Sequence, residues 1–255
     1  MKILVTNDDG IRADGIISLA NAAARAGHEV YVAAPNQQRS AASHSITLNR
    51  SLTAETVELP GICRAWAIDG TPADCVSLVL KHFCPDIEVV LSGINHGYNG
   101  GMDVMYSGTV AAAMEGAIMG RRALAVSLAY EREDTYDKAA SLAMQILELT
   151  KEMHFPDYSV LNINYPAVDR AMGLKTVPLR LTKYDDHYVE STLPDGRTGY
   201  HLEGSMAPIE QHEEDDYSWL KRGYATVSVL THEMTNHTAT NTLAAYLTGN
   251  TGILF

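Results

Sequence analysis

The amino-acid sequence predicts an α/β fold in which helices flank a mostly parallel sheet. Short, fully apolar runs recur along the first two thirds of the chain, and such runs are typical of strands that are buried on both faces. Between them lie segments whose apolar residues repeat at helical spacing. With 255 residues, 46% of them hydrophobic, the chain is long enough for one large domain, or for a domain with a substantial appendage.

The first elements alternate between strand and helix. The run Ile3-Leu4-Val5 predicts a buried first strand. Residues 16–26 predict a helix that ends at Gly27, and residues 28–34 predict the second strand. Residues 36–45 are too rich in Gln, Arg, Ser and His to lie in a core, so we expect a loop there.

The alternation continues through the middle of the chain. Residues 64–68 predict a strand. A helix is predicted to begin at Thr71, because Thr71 is a good N-cap, Pro72 suits the first helical position and Asp74 favours the positive end of a helix. Residues 87–91 predict another buried strand, which runs into a loop rich in Gly and Asn.

Two further strand and helix pairs complete the predicted core. Residues 110–119 form an Ala-rich helical pattern, and residues 123–128 predict a strand. A long helix follows, and Pro166 ends a final strand at residues 159–163. The apolar stripe of that helix consists of Ala139, Ala140, Ala143, Ile146 and Leu147.

The last third of the chain differs in composition. Residues 178–217 are charged and aromatic, with the turn signal Pro194-Asp195-Gly196, and they predict an extended hairpin that leaves the main body. Such an arm needs a partner surface, so we expect it to pack on another subunit. Residues 224–230 predict a strand that returns to the core, and residues 242–247 predict a short helix.

Charge and composition exclude several classes of function. The net charge of −12 argues against a surface for DNA or RNA polymers, although a local site for a single phosphate remains compatible with it. No apolar run approaches the length of a transmembrane helix, and no signal peptide is evident, so no membrane partner is expected. Cys63, Cys75 and Cys84 have no metal-ligand spacing, and we interpret them as reduced thiols of a cytoplasmic protein.

Oxygen-bearing side chains follow three of the predicted strands. Asp8 and Asp9 come after the first strand, Arg39 and Ser40 after the second, and Asn95 after the strand at residues 87–91. Ligands in open α/β sheets bind beyond the carboxyl ends of the strands. Two carboxylates, a hydroxyl and an amide oxygen suit Mg²⁺, Mn²⁺ or Ca²⁺ and disfavour a tight zinc site. The alternative is that Asn7-Asp8-Asp9-Gly10 is an ordinary turn.

A candidate anion site precedes the helix at residues 110–119. Ser107-Gly108-Thr109 places backbone N–H groups and small hydroxyl residues at the start of that helix, where a phosphate or sulfate would fit. Ordinary N-capping by Ser107 or Thr109 is the alternative. His44 and His96 lie in the candidate loops, and each is either a proton donor to phosphate or a structural histidine.

Four blocks of sequence together resemble a known family. They are residues 3–10 with Gly15; Arg39-Ser40 with Ser45; residues 70–76; and residues 92–116, which include Ser92-Gly93-Ile94-Asn95 and Tyr106 to Val110. With these blocks the chain resembles the SurE family, the stationary-phase survival proteins that act as metal-dependent nucleoside-monophosphate phosphatases. The similarity extends to Asp216-Tyr217 and Gly223-Tyr224, and it therefore covers nearly the whole chain. Residues 36–44 and 231–255 vary from the family pattern.

The resemblance implies a ligand set and an architecture. Asp8, Asp9, Ser40 and Asn95 match the positions that bind one divalent metal ion per subunit, Mg²⁺ or Mn²⁺, and the turn at residues 107–109 matches the anion-binding turn. The implied fold is a Rossmann-like core with a projecting hairpin and an exchanged carboxy-terminal segment, in homodimers or homotetramers. We accordingly expect a catalytic core at residues 1–170, and a hairpin arm and oligomerisation segment at residues 171–255 of the same continuous unit.

The implied reaction is hydrolysis of nucleoside monophosphates to nucleoside and phosphate, with activity on 3′-nucleotides and polyphosphate as further possibilities. Asn99 would help the turn at residues 107–109 to hold phosphate, and Asp8 or Asp9 would accept a proton from water. Two alternatives stay open at this point. One is a phosphatase with a covalent aspartyl-phosphate, and the other is a non-catalytic, metal-dependent nucleotide sensor. The absence of Gly-x-Gly-x-x-Gly after the first strand counts against dinucleotide binding.

Overall fold

A nine-stranded sheet forms the centre of the computed structural model, which describes residues 1–207 and 214–250. Its strands are β1 (Lys2–Thr6), β2 (Glu29–Pro35), β3 (Ala54–Val57), β4 (Arg64–Ile68), β5 (Val89–His96), β6 (Arg122–Leu128), β7 (Val160–Tyr165), β8 (Leu174–Thr176) and β11 (Ala225–Leu230). They lie in the order β3-β4-β2-β1-β5-β6-β7-β11-β8. The pairs β3–β4 and β7–β11 are antiparallel and the other six are parallel, which confirms the mostly parallel sheet.

Helices cover both faces of this sheet. They are α1 (Asp14–Arg25), α2 (Pro72–Leu78), α3 (Gly108–Ile118) and α4 (Tyr136–Leu149). Successive residues of a strand point to opposite faces, so Ile3 and Val5 pack in one apolar cluster with α1 and α4, whereas Leu4 packs in another with α2. Both faces of β1 are therefore buried, as its fully apolar run predicts.

The start of α2 shows how local sequence places a helix. The Thr71 hydroxyl accepts a hydrogen bond from the Asp74 backbone N–H, and the Asp74 carboxylate accepts one from the Thr71 backbone N–H. This capping box, with Pro72 in the first turn, is the arrangement predicted from the sequence. Asp74 also accepts hydrogen bonds from the backbone and hydroxyl of Thr47, which ties the long loop after β2 to the helix.

The predicted arm is an antiparallel hairpin of β9 (His187–Thr192) and β10 (Thr198–Glu203). The turn Pro194-Asp195-Gly196 connects the strands, with Gly196 at a φ of +82°. All residues of β9 are exposed, and so are those of β10 except the partly buried Gly199. The hairpin thus projects from the body, and residues 208–213 of the predicted arm lie outside the described residues.

Several elements differ from the sequence predictions. The edge strands β3 and β8 were not expected, and α5 (Asp216–Lys221) occupies the end of the segment predicted as arm. The last helix, α6 (His237–Asn250), is longer than the predicted residues 242–247, and those six residues are all exposed. Its exchange with another subunit remains a prediction, and residues 251–255 lie outside the described part. No helix within the described ranges is long and apolar enough to cross a membrane.

Candidate active site

Three loops meet at Asp8, just beyond the carboxyl end of β1. Asp8 is 5% exposed, and its Oδ1 accepts a hydrogen bond of 2.6 Å from the hydroxyl of Thr109 in the first turn of α3. The backbone N–H of Arg39, in the loop after β2, donates to the Asp8 carbonyl oxygen at 2.8 Å. The loops after β1 and β2 and the start of α3 are therefore joined at one residue, Asp8, at the edge of the sheet where ligands bind in such folds.

The loop that presents the two acids is closed by its own asparagine. Asn7 is fully buried, and its side-chain amide donates to the Gly10 carbonyl oxygen at 3.0 Å while its Oδ1 accepts from the Gly10 N–H at 3.1 Å. Gly10 has a φ of +107°, a conformation that other residues rarely adopt. The turn interpretation of Asn7-Asp8-Asp9-Gly10 is thus correct for the backbone, and it leaves both aspartate side chains for other contacts.

Burial alters the protonation of both acids. It is the main cause that raises the pKa of Asp8 to about 6; the Thr109 hydroxyl opposes this shift and the charge of Asp9 adds to it. Burial also raises the pKa of Asp9, although its Oδ2 accepts a hydrogen bond of 3.3 Å from the His96 backbone N–H. Among the described residues no lysine or arginine forms an ion pair with either acid, and the Arg39 guanidinium pairs with Asp69 instead.

The other two predicted metal ligands lie next to residues whose backbone N–H groups bond to these acids, Ser40 after Arg39 and Asn95 before His96. Asn95 belongs to β5, which extends past the predicted strand at residues 87–91 into the predicted loop. Asn95 is half-buried at the end of β5, next to His96, and its amide nitrogen donates to the Gly97 carbonyl oxygen at 2.8 Å. Its Oδ1 has no hydrogen-bond partner in the described part of the chain. Ser40 is exposed and follows Arg39 directly, with its Oγ 2.9 Å from the side-chain nitrogen of Gln38.

This donor set fits a hard divalent cation. Two partly or fully buried carboxylates without a basic partner repel each other, and a cation relieves that repulsion. The Asn95 oxygen and the Ser40 hydroxyl add neutral oxygen donors of the kind that Mg²⁺ and Mn²⁺ accept. Because the described residues contain no cluster of three or more His, Cys, Asp or Glu that could hold a metal, a cation here would depend on these neutral oxygens.

The predicted anion turn lies directly against Asp8. Ser107 is the N-cap of α3, and its Oγ accepts a hydrogen bond of 3.0 Å from the Val110 N–H. A Cβ atom added to Gly108 would lie only 2.9 Å from Asp8 Oδ2, so the backbone of this turn approaches the carboxylate closely. The Thr109 hydroxyl already donates to Asp8, whereas the Ser107 oxygen only accepts a hydrogen bond. The Ser107 O–H, the Gly108 N–H and the positive end of α3 therefore remain for an anion.

Asn99 is embedded among polar residues of β6 and β7. Its side-chain amide donates to the Ser127 hydroxyl at 2.8 Å, and its backbone N–H donates to Asn164 Oδ1 at 2.9 Å. The side chains of Asn162 and Asn164 both donate to its carbonyl oxygen. A contact between Asn99 and phosphate stays a prediction, whereas its position is fixed by this network. The sequence signal for the network was visible, because two asparagines interrupt the buried strand β7.

The two candidate histidines have ring partners in the protein. His44 Nε2 is 3.1 Å from Glu115 Oε2, and this contact is the main cause that lowers the pKa of Glu115. The His96 ring stacks on Tyr130 with centroids 4.1 Å apart, and its Nε2 lies 2.6 Å from the Tyr130 carbonyl oxygen. His96 reaches the site through its backbone N–H to Asp9, and neither ring forms a hydrogen bond with Asp8 or Asp9.

Comparison with known proteins identifies relatives along nearly the whole chain. The family model described as Survival protein SurE matches residues 3–188. A protein named 5′-nucleotidase SurE from Synechococcus sp. (strain CC9311) is 47% identical over 210 residues, which cover 80% of this chain and 79% of that protein. A protein of the same name from Kosmotoga olearia is 39% identical over 239 residues, covering 92% and 94%.

A solved structure gives the same result for the fold. The SurE protein from Aquifex aeolicus superimposes with a TM-score of 0.83 at 29% sequence identity, over 96% of this chain and 99% of that one. The two chains therefore share a fold over nearly their whole length, and the Rossmann-like fold class, with a mostly parallel sheet flanked by helices, is confirmed. On this evidence the chain belongs to the SurE family.

Proposed function

We propose that this protein is a metal-dependent 5′-nucleotidase that hydrolyses nucleoside monophosphates to nucleoside and phosphate. The observation that supports it most directly is the contact between Asp8 and the start of α3, because one of the two neighbouring acids there touches the turn predicted to bind an anion. The relatives' name, 5′-nucleotidase SurE, indicates the substrate class.

A cation and the anion turn depend on each other in this proposal. A phosphate dianion is repelled by Asp8 and Asp9 unless a positive charge neutralises them. Asp8, Asp9, Ser40 and Asn95 would hold one Mg²⁺ or Mn²⁺ ion. When bound, such an ion polarises the phosphate and makes a water molecule easier to deprotonate.

The residues of the chain supply positioning and proton transfer. The Gly108 N–H and the positive end of α3 bind phosphate oxygens and stabilise the charge that develops on them. One of the two aspartates accepts a proton from the attacking water, whose oxygen forms the new bond to phosphorus. The bond from phosphorus to the nucleoside oxygen breaks, and that oxygen takes up a proton from solvent as the nucleoside leaves, while the aspartate returns its own proton to solvent. Activity on 3′-nucleotides and on polyphosphate belongs to the same proposal, since both present a terminal phosphate.

A phosphate-release panel tests the proposal. Purified protein is incubated with 5′- and 3′-nucleoside monophosphates and short polyphosphate, with Mg²⁺, Mn²⁺ or EDTA. We expect release from 5′-monophosphates with metal and loss of that release in EDTA. Nucleotide binding without release in any metal would favour the sensor alternative. A phosphorylated enzyme that is trapped by acid quench would favour the aspartyl-phosphate alternative.

A further inference from the structure

The 3₁₀ segment Gly101–Met105 precedes the anion turn at residues 107–109 and forms a backbone hydrogen bond with its first residue. The Asp103 carbonyl oxygen accepts hydrogen bonds from the backbone N–H groups of Tyr106, at 3.0 Å, and Ser107, at 3.2 Å. Ser107 is the N-cap of α3, so the position of Asp103 sets the position of the helix start. Any displacement of this segment would move Gly108 relative to Asp8.

The side chain of Asp103 is held by two tyrosines from the carboxy-terminal third of the chain. The Tyr184 hydroxyl lies 2.7 Å from its Oδ1 and 2.6 Å from its Oδ2. The Tyr217 hydroxyl donates to the same Oδ2 at 2.7 Å. Burial and then the contact with Asp103 raise the pKa of both phenols, so both remain protonated donors at neutral pH.

Asp216 fixes the other end of the same segment. Its side chain is completely buried, and its Oδ2 accepts a hydrogen bond of 2.7 Å from the Gly101 N–H. Its Oδ1 accepts from the backbone N–H of Arg180 at 3.0 Å. Gly101 has a φ of +50°, and the next N–H, that of Met102, donates to the Thr182 hydroxyl at 2.9 Å. Residues 180–184 and 216–217 thus bind the 3₁₀ segment along its length.

These contacts leave the 3₁₀ segment little freedom. Asn99, two residues before it, is anchored to β6 and β7, and Ser107, two residues after it, begins α3. Between these points the described contacts of Gly101, Met102 and the Asp103 carboxylate come from residues beyond 170, which supply none of the predicted metal ligands.

We propose that Tyr184, Tyr217 and Asp216 are positioning residues, which act through Asp103 and Gly101 to hold the phosphate turn at residues 107–109 against Asp8. The proposal rests on the proposed function of that turn as the phosphate site. Some residues do not touch the ligand and instead hold the residues that do. Removing one of them commonly lowers affinity or activity by about 10- to 100-fold. A shift of about 1 Å at a reacting group has effects of similar size.

The test compares Tyr217→Phe, Tyr184→Phe and the double variant with wild type. Tyr158→Phe is the matched control, because Tyr158 is an exposed tyrosine just before β7 that lies outside both the arm and the candidate site. Three quantities are measured on each protein: affinity for inorganic phosphate by calorimetry in the presence of Mn²⁺, affinity for Mn²⁺ alone, and kcat and KM for a nucleoside 5′-monophosphate. Tyr184 is partly exposed, so its variant is expected to fold even if the double variant does not.

The expected result is a roughly tenfold loss of phosphate affinity and of kcat in the double variant, with its Mn²⁺ affinity unchanged. All three quantities should stay at wild-type values in the Tyr158→Phe control. A smaller loss of the same kind is expected in each single variant. A double variant with wild-type phosphate affinity and kcat would overturn the proposal, as would a loss confined to thermal stability. Wild-type protein that binds phosphate but releases none from nucleotides would refute the proposed function alone, and phosphate affinity would still test the positioning role.

Discussion

At the scale of single residues, Asp8 connects the proposed metal ligands with the proposed phosphate turn. Its carboxylate touches the Thr109 hydroxyl and the turn at Gly108, while its backbone is held by Arg39. The sequence alone indicated the acid pair and the three loops, because residue types and strand ends are readable from a pattern. It did not indicate which side chains already have partners, since long-range hydrogen bonds such as the one from Thr109 to Asp8 depend on three-dimensional geometry.

Replacing Asp9 by Asn tests the acid pair directly. The substitution keeps the shape of the side chain and removes one of the two negative charges, so we expect metal-dependent phosphate release to fall to background while the thermal midpoint changes little. Release is measured with a nucleoside 5′-monophosphate and Mn²⁺. The control is Asp14→Asn, an exposed acid in the first turn of α1. Near-wild-type turnover of the Asp9 variant would contradict the assignment.

The raised pKa of Asp8 predicts a pH dependence of stability in EDTA. The pKa of Asp8 is about 6 in the folded protein, against 3.8 for an ordinary aspartate, so the folded state binds the proton more tightly than the unfolded state does. The favourable contribution of protonated Asp8 is fully present below pH 3.8 and is lost as the pH rises through 6. The loss amounts to at most about 3 kcal/mol.

The Asp8 prediction is checked by urea unfolding at pH 5 and pH 7.5, with Asp8→Asn as the comparison. The difference in free energy of unfolding between variant and wild type should be larger at pH 7.5, because the amide carries no charge at either pH. An equal difference at the two pH values would show that Asp8 does not titrate in this range.

At the scale of elements, the sequence patterns predicted the buried strands and missed the short elements. A strand that packs on both faces needs an apolar run. Such runs are present in β1, β2, β4, β5, β6 and β7. The edge strand β3 is exposed or half-buried and has no such run, and β8 contains only three residues. The 3₁₀ segment Gly101–Met105 was missed because the N–H groups of Gly101 and Met102 bond to residues about 80 to 115 positions away, beyond any local pattern.

The start of α3 gives a prediction at this scale. A methyl group at Gly108 would lie 2.8 Å from Asp8 Cβ and 3.1 Å from Pro72 Cγ, so Gly108→Ala must displace the carboxylate. We expect kcat to fall by roughly 100-fold, measured by phosphate release. Gly116→Ala is the matched control in the same helix, since its methyl group would lie 2.7 Å from Val90 Cγ2 in the core.

The two glycine variants should affect different properties of the protein. Gly116→Ala is expected to lower the thermal midpoint and leave kcat close to wild type, because Val90 takes no part in the proposed site. Equal losses of kcat in both variants would mean that Gly108 acts through the general stability of α3 and has no specific effect on Asp8.

At the scale of the whole molecule, contacts within one chain do not explain the exposed apolar and aromatic residues of the arm. Its exposed residues include Tyr188, Tyr200 and Leu202, which are 69%, 64% and 51% exposed. An isolated two-stranded hairpin is marginally stable in water. We propose that the arm packs on a second copy of this chain, in a homodimer or homotetramer.

Deletion of the arm tests that proposal. Residues 188–202 are replaced by a short Gly-Ser linker, which joins the cross-strand neighbours His187 and Glu203. We expect the mass from size-exclusion chromatography with light scattering to fall to that of a smaller assembly, because the proposed contact surface is removed. The full-length protein serves as the control. An unchanged mass would place the subunit contact elsewhere.

The place of β11 in the sheet affects the order in which the protein can be completed during synthesis. β11 pairs with β7 and β8, and Asp216, nine residues before it, binds Gly101. When only the first two thirds of the chain have left the ribosome, that part already contains Asp8, Asp9, Ser40 and Asn95. The contacts of Tyr184, Asp216 and Tyr217 with residues 101–103 form only after Tyr217 has emerged. A truncated nascent chain would therefore carry the proposed metal ligands before the support of the phosphate turn is complete.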